Sequence, residues 1–150
     1  MAGNDQDYSY CLEVFKKLNR RKTRWILYKM DEFSIVVDEV SERSATIKDM
    51  IKALPDTEPR YAVYDYEFVT DDGRTTSKMY WMYWTPLNSN QEKKVIYTQA
   101  LSSFRNQFTG TVNIDFSVPK DIEDQFKGEC IDGKFTFPQD EPEESDEDFD

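Results

Sequence analysis

The chain has 150 residues, with 30 Asp and Glu against 19 Lys and Arg, and eight of the acids stand in the last eleven residues. The net charge is −11 and the rest of the chain is only mildly acidic, which argues against a nucleic-acid partner. There is no histidine, the five glycines are too scattered for a phosphate loop, two cysteines cannot build a zinc site, and no apolar run approaches a membrane span of roughly 20 residues, which together exclude triad hydrolases, His-ligated metal sites, nucleotide-loop enzymes and a spanning helix.

Aromatic residues make up 15% of the chain, and they recur at helical or alternating spacing, which predicts a packed core. The first element is a helix whose apolar face is Tyr8, Cys11, Leu12, Phe15 and Leu18. Acids open it (Asp5, Asp7) and cations close it (Lys16, Lys17, Arg20, Arg21), as the helix dipole favours. Two strands follow, Trp25 to Met30 and Phe33 to Val40, with Asp31-Glu32 as the turn. Thr46 and Asp49 read as a capping box for a helix to Leu54, with Ile47, Met50, Ile51 and Leu54 as its face and Pro55 as its stop.

Tyr61 to Phe68 alternates, with Ala62, Tyr64, Tyr66 and Phe68 on one side. A turn over 70–74 uses Gly73, and Lys78 to Trp84 reads as a central strand covered on both faces. A long helix is expected from Gln91 to Phe108, its inner stripe Tyr97, Ala100 or Leu101, Phe104 and Phe108, with Gly110 to end it. Val112, Ile114 and Phe116 alternate as a further strand. Pro119 opens a short helix with Ile122 and Phe126 inward and Gly128 at its end. Asp132-Gly133 turns into an extra edge strand, Lys134 to Phe137. The composition thus predicts one α/β domain over 1–137, a mixed sheet with helices on both faces, and an acidic disordered tail over 138–150.

Several stretches together resemble the ADF/cofilin family. Pro59-Arg60-Tyr61-Ala62-Val63-Tyr64-Asp65-Tyr66-Glu67-Phe68 is similar to the family's third strand, and an Asp-Gly turn, Thr76-Ser77-Lys78 and a strand closing in Trp84-Thr85-Pro86 follow it. Lys94-Val95-Ile96-Tyr97 resembles the start of the family's long helix and Phe108-Thr109-Gly110 its end. Arg20-Arg21-Lys22-Thr23-Arg24-Trp25 resembles the basic bridge into the first strand. The resemblance spans about residues 5 to 127 and implies an actin-depolymerising fold, with actin binding and no catalysis or cofactor.

It also implies a two-part surface. The monomer-binding part is the N-terminal segment (Gly3, Asn4) with Lys94, Val95 and Arg105 of the long helix; Lys94 and Arg105 lie close to three helical turns apart and share a face. The filament-binding part is Lys78 with Lys120 and Lys127. Two positions depart from the family's basic pattern, Glu92 and Thr76. The implied partners are the actin monomer and filament, with phosphoinositides as a weaker partner, and the protein is expected to be monomeric and cytoplasmic. The implied activity is depolymerisation and severing with preference for the ADP form; the alternative is a monomer sequesterer that severs weakly. A chaperone of basic proteins, using the acidic tail, is the reading from another class. Ser145, before Asp146-Glu147-Asp148, is a candidate phosphorylation site. The regulatory serine near the family's N-terminus has no counterpart within Met1 to Tyr8, and Ser9 lies inside the first helix. Cys11 and Cys130 read as reduced thiols.

Overall fold

In the computed structural model, which describes residues 7–138, the elements follow the expected order. Helix α1 (Ser9–Asn19) leads to strands β1 (Trp25–Asp31) and β2 (Ser34–Val40), then helix α2 (Ile47–Ala53). Strands β3 (Arg60–Val69) and β4 (Thr75–Trp84) precede helix α3 (Gln91–Arg105), strand β5 (Val112–Phe116), helix α4 (Pro119–Gln125) and two short strands, β6 (Cys130–Ile131) and β7 (Lys134–Phe135). Five strands form one mixed sheet in the order β2-β1-β3-β4-β5, antiparallel except for the parallel β4–β5 pair.

The alternation along the central strands sends side chains into two cores. On one face Ile26, Tyr28, Tyr61, Val63, Trp81 and Tyr83 meet Leu18 of α1 and Tyr97 and Phe104 of α3. On the other, Trp25, Leu27, Ala62, Tyr64, Tyr80 and Met82 meet Ile47 and Met50 of α2 and Ile122 of α4. Helices therefore cover both faces, as expected. The capping box at Thr46 is present: its hydroxyl accepts from Asp49 N at 3.2 Å, and Asp49 returns an acceptor to Thr46 N at 3.0 Å.

Four details differ from the sequence expectations. The β1–β2 turn is Glu32-Phe33, one residue later, because Asp31 still pairs with Ser34 and Glu32 takes the left-handed conformation (φ 58°). Helix α3 stops at Arg105, where the chain tightens to i→i−3 bonds, Gln107 N to Phe104 O and Phe108 N to Arg105 O. Phe108 is nevertheless buried, and Gly110 (φ 74°) serves the bend into β5. Gly128 is required by close approach: a Cβ there would lie 2.7 Å from the Tyr66 hydroxyl. Finally, 134–137 adds no edge strand to the main sheet. Asp132 (φ 54°) and Gly133 (φ 80°) close a separate β6–β7 hairpin of the type I′ pattern.

Candidate functional site

Helix α3 is anchored through its inner stripe. Tyr61 Oη donates to Tyr97 O at 2.6 Å, and the Tyr97 hydroxyl accepts from Met30 N at 2.8 Å. Asn90 caps the helix by accepting from Lys93 N at 3.1 Å. With the inner stripe so fixed, the outer face presents Lys94 and Val95; Val95 is 45% exposed. An exposed aliphatic side chain beside a cation that has no ion pair among the described residues is the composition of an interface centre with a polar rim. Lys93 is not part of it, because its ammonium pairs with Glu58 at 3.0 Å. That contact, with a further one from Arg60, holds the Glu58 carboxyl below its ordinary range.

Arg105 lies about three turns along the same helix but is only half-exposed. Its guanidinium sits over the Trp81 ring, 5.8 Å from the centroid. At the start of α1 the Tyr8 ring packs against Phe104, 5.1 Å between centroids, so the chain reaches α1 beside α3. Gly3 and Asn4 lie outside the described residues, as does Ser145.

The second set of cations is on the opposite side of the sheet. Lys78 is exposed and pairs across the ladder with Tyr66, whose ring packs on Phe126 at 5.0 Å just before Lys127. Directly opposed residues project to one side, so Lys78 and the end of α4 share the face of the second core. Lys120 and Lys127, however, both bind Asp124, at 3.2 and 3.4 Å. The two lysines hold the Asp124 carboxyl below its usual range, with the Lys120 hydrogen bond the largest cause. With Asp121 exposed beside them, this end of α4 carries little net positive charge.

A charged cluster that sequence patterning does not single out lies on the Tyr61 and Val63 side of β3. Arg24, 1% exposed, binds Glu67 at 2.6 Å, and Arg43 binds Asp65 at 2.8 Å and Glu67 at 3.3 Å. Arg24 also donates to the carbonyls of Arg43 and Asp65. The basic bridge is thus partly a structural clamp. The available signal was the parity of Asp65 and Glu67, which share the β3 side of the core residues Tyr61 and Val63. A second missed residue is Glu129, 0% exposed. Its carboxylate accepts from Tyr64 Oη (2.5 Å), Ile47 N (2.8 Å) and Thr136 Oγ1 (2.6 Å), joining β3, α2 and the hairpin. Burial raises its pKa, against the opposing pull of these hydrogen bonds.

A groove of about 610 Å³ between α1 and β2 contains Cys11, but burial pushes that thiol's pKa up to about 11 and leaves little nucleophilic thiolate near neutrality. Cys11 and Cys130 are both free and buried. Among the described residues no cluster of carboxylates and thiols could hold a metal ion, and no helix is long and apolar enough to cross a membrane.

Residues 6–130 match the family model described as "Cofilin/tropomyosin-type actin-binding protein". The chain belongs to the cofilin/ADF family. Among its relatives are actin-depolymerizing factor 7 of Oryza sativa subsp. japonica, 35% identical over 113 residues (73% of this chain, 78% of the relative), and actin-depolymerizing factor 3 of Zea mays, 32% identical over 113 residues with the same coverage. The fold is shared with Streptomyces griseoflavus cofilin (TM-score 0.70, 24% identity, 77% of this chain and 88% of that one). It is also shared with actin depolymerization factor 2 of Plasmodium berghei (TM-score 0.68, 23% identity, 79% and 90%). The cofilin/ADF match ends at the first residue of β6, so the β7 strand and the acidic segment lie beyond it.

Proposed function

We propose that this cofilin/ADF chain binds actin monomers through the outer face of α3 and the N-terminal segment, and filament sides through β4 and the end of α4, and so promotes filament disassembly. The observation that carries the reading is the outer face of α3, where Val95 stands exposed beside Lys94 on a helix whose inner face is locked to the sheet. Gly3 and Asn4 complete the monomer surface in this reading, and Lys78, Lys120 and Lys127 supply the filament surface. Such a protein acts without a chemical step: a ligand shifts a polymer toward the conformation it binds better, so preference for the twisted or ADP-bound filament suffices to speed subunit loss and severing. It works as a monomer at the cytoplasmic actin cytoskeleton, with phosphoinositides as a weaker partner for the same cations.

A second reading has its own support. Asp124 pairs with both Lys120 in the first turn of α4 and Lys127 just past its end, and Lys78 stands without a second cation on its strand. A weak filament surface beside an intact monomer surface describes a sequesterer that severs poorly. Co-sedimentation with filaments, with the number of fragments counted by microscopy, separates the two. Binding with new filament ends supports severing; monomer binding without co-sedimentation supports sequestration; neither kind of binding rejects both.

A further inference from the structure

The strongest concentration of positive charge is on neither actin surface. Lys16, Lys17, Arg20, Arg21 and Lys22 place five cations in seven residues of a chain whose net charge is −11. All five are exposed. Arg21 pairs with Glu67 at 3.0 Å, whereas Lys16, Lys17, Arg20 and Lys22 make no ion pair among the described residues.

The patch has a defined geometry. Lys22 N donates to Lys17 O and Arg21 N to Leu18 O, both at 2.9 Å, which is the Schellman closure of α1. The left-handed residue of that closure is Arg21 (φ 63°), where glycine would cost less. An arginine is retained at this strained position, and its side chain reaches across to Glu67 of β3 and to the Ser77 hydroxyl of β4. The helix end, with its cations, is thereby tied to the sheet. Cations in the last turn of α1 complement the helix dipole. Arg20 is the C-cap residue and Lys22 lies two residues past it, so the dipole accounts for only part of the patch.

The same chain carries the complementary charge. Residues 140–150 hold eight carboxylates and one aromatic, Phe149. The chain leaves the described region at Pro138, directly after Phe137, which is buried in the second core. Thr136 is fastened to Glu129, and Gly128 lies against Tyr66 of β3, on the face of the sheet opposite Glu67 and α1, so the segment must pass round the sheet to reach the patch. The twelve residues that follow span up to about 40 Å when extended, comparable to the diameter of a domain of this size. Among the other cations, Lys29, Lys93, Lys120 and Lys127 already face carboxylates, Lys78 and Lys94 stand singly, and the competing surface is Lys48 and Lys52 of α2, two cations against five, with Lys48 over the Phe137 ring at 4.5 Å.

We propose that the cationic end of α1 is the docking surface for the chain's own acidic segment, residues 140–150. The contact is electrostatic and intramolecular, independent of the actin reading. It shields the patch from external polyanions, so an acidic partner must displace the segment to reach it. Screening sets its strength: the contact is strongest at low salt and fades as the Debye length shrinks to a few ångström.

The test uses the full chain. A nitroxide is attached to S145C; the native thiols are buried and both have raised pKa values, so the label goes to the new site. Amide intensities are compared with the label oxidised and reduced. Lys16, Lys17, Arg20 and Lys22 are expected to lose at least half their intensity at low salt and to recover it in about 0.5 M salt. Replacing the four by Gln should abolish the loss; the salt series on the otherwise native chain makes the same test if that variant folds poorly. Broadening that is centred on Lys48 and Lys52, that is spread evenly, or that ignores salt overturns the proposal. So does absence of broadening with patch amides that shift on adding anionic vesicles or actin filaments, which would assign the surface to an external partner.

Discussion

Reversing Lys94 and reversing Arg105 should have different consequences for stability and similar ones for actin. Lys94 is exposed and has no ion pair among the described residues, so Lys94→Glu should change folding stability by no more than about 0.5 kcal/mol. Arg105 is half-buried over Trp81. Its replacement by Glu forfeits a cation–π contact worth about 0.5–2 kcal/mol and sets a carboxylate against the negative face of the ring. The expected cost is about 1–2 kcal/mol, a fall in Tm of about 3–8 °C. Against an acidic partner each reversal should weaken monomer binding about tenfold or more, and the pair about a hundredfold. Thermal melts followed by circular dichroism measure the first quantity and fluorescence titration of labelled actin monomers the second. Lys94→Glu binding actin as tightly as the native chain would remove the outer face of α3 from the interface. Equal melting of the two variants would refute the role given to Trp81.

Glu129 supplies a stability test: Glu129→Ala strips partners from Tyr64, Ile47 and Thr136 and should cost about 4 kcal/mol in urea unfolding, with Glu129→Gln losing much less because its amide can turn toward the Thr136 hydroxyl. Because burial raises the Glu129 pKa above 4.5, the folded state holds this proton more tightly than the unfolded one. Its contribution is therefore fully present below that pH and lost as pH rises through the folded value, so Gln should gain on the native residue as pH rises above 4.5; a gap that does not move would contradict this. With no histidine, the isolated protein should take up little proton between about pH 6.5 and 8 beyond that of a terminal amine, and potentiometric titration showing a further full proton would refute it. The N-terminal serine switch should be missing: phosphopeptide mapping should find no inhibitory phosphate on Ser9, whose hydroxyl and amide are engaged by Asp7 at the start of α1.

Local signals were legible where one short stretch decides the outcome. The Thr46/Asp49 capping box, the alternation of β3 and the apolar face of α1 each depend on neighbours within one or two turns of chain, and each is present. The α3 terminus was misplaced because Phe108 stays buried after the helical bonds have given way to tighter ones; burial carried the apolar period past the end of the helix. Lys134 to Phe137 reads as an edge strand, but pairing partners are a tertiary choice that this stretch does not encode, and Lys134 and Phe135 pair with β6 instead. Nothing in the basic bridge itself marks Arg24 as buried, because its partner Glu67 and the Asp65 carbonyl come from β3, about 40 residues away. The neutralised end of α4, by contrast, was readable: Lys120, Asp124 and Lys127 have the i,i+4 and i,i+3 spacing that brings their charges together.

The most direct measurement of the central claim is equilibrium binding of the full chain to ADP-actin monomers, run in parallel with co-sedimentation on filaments and a count of filament ends. The account predicts saturable monomer binding that is weakened about a hundredfold by Lys94→Glu with Arg105→Glu in a variant that still folds. Saturable binding that survives both reversals would contradict the interface, and a native chain that binds neither monomers nor filaments would contradict the function.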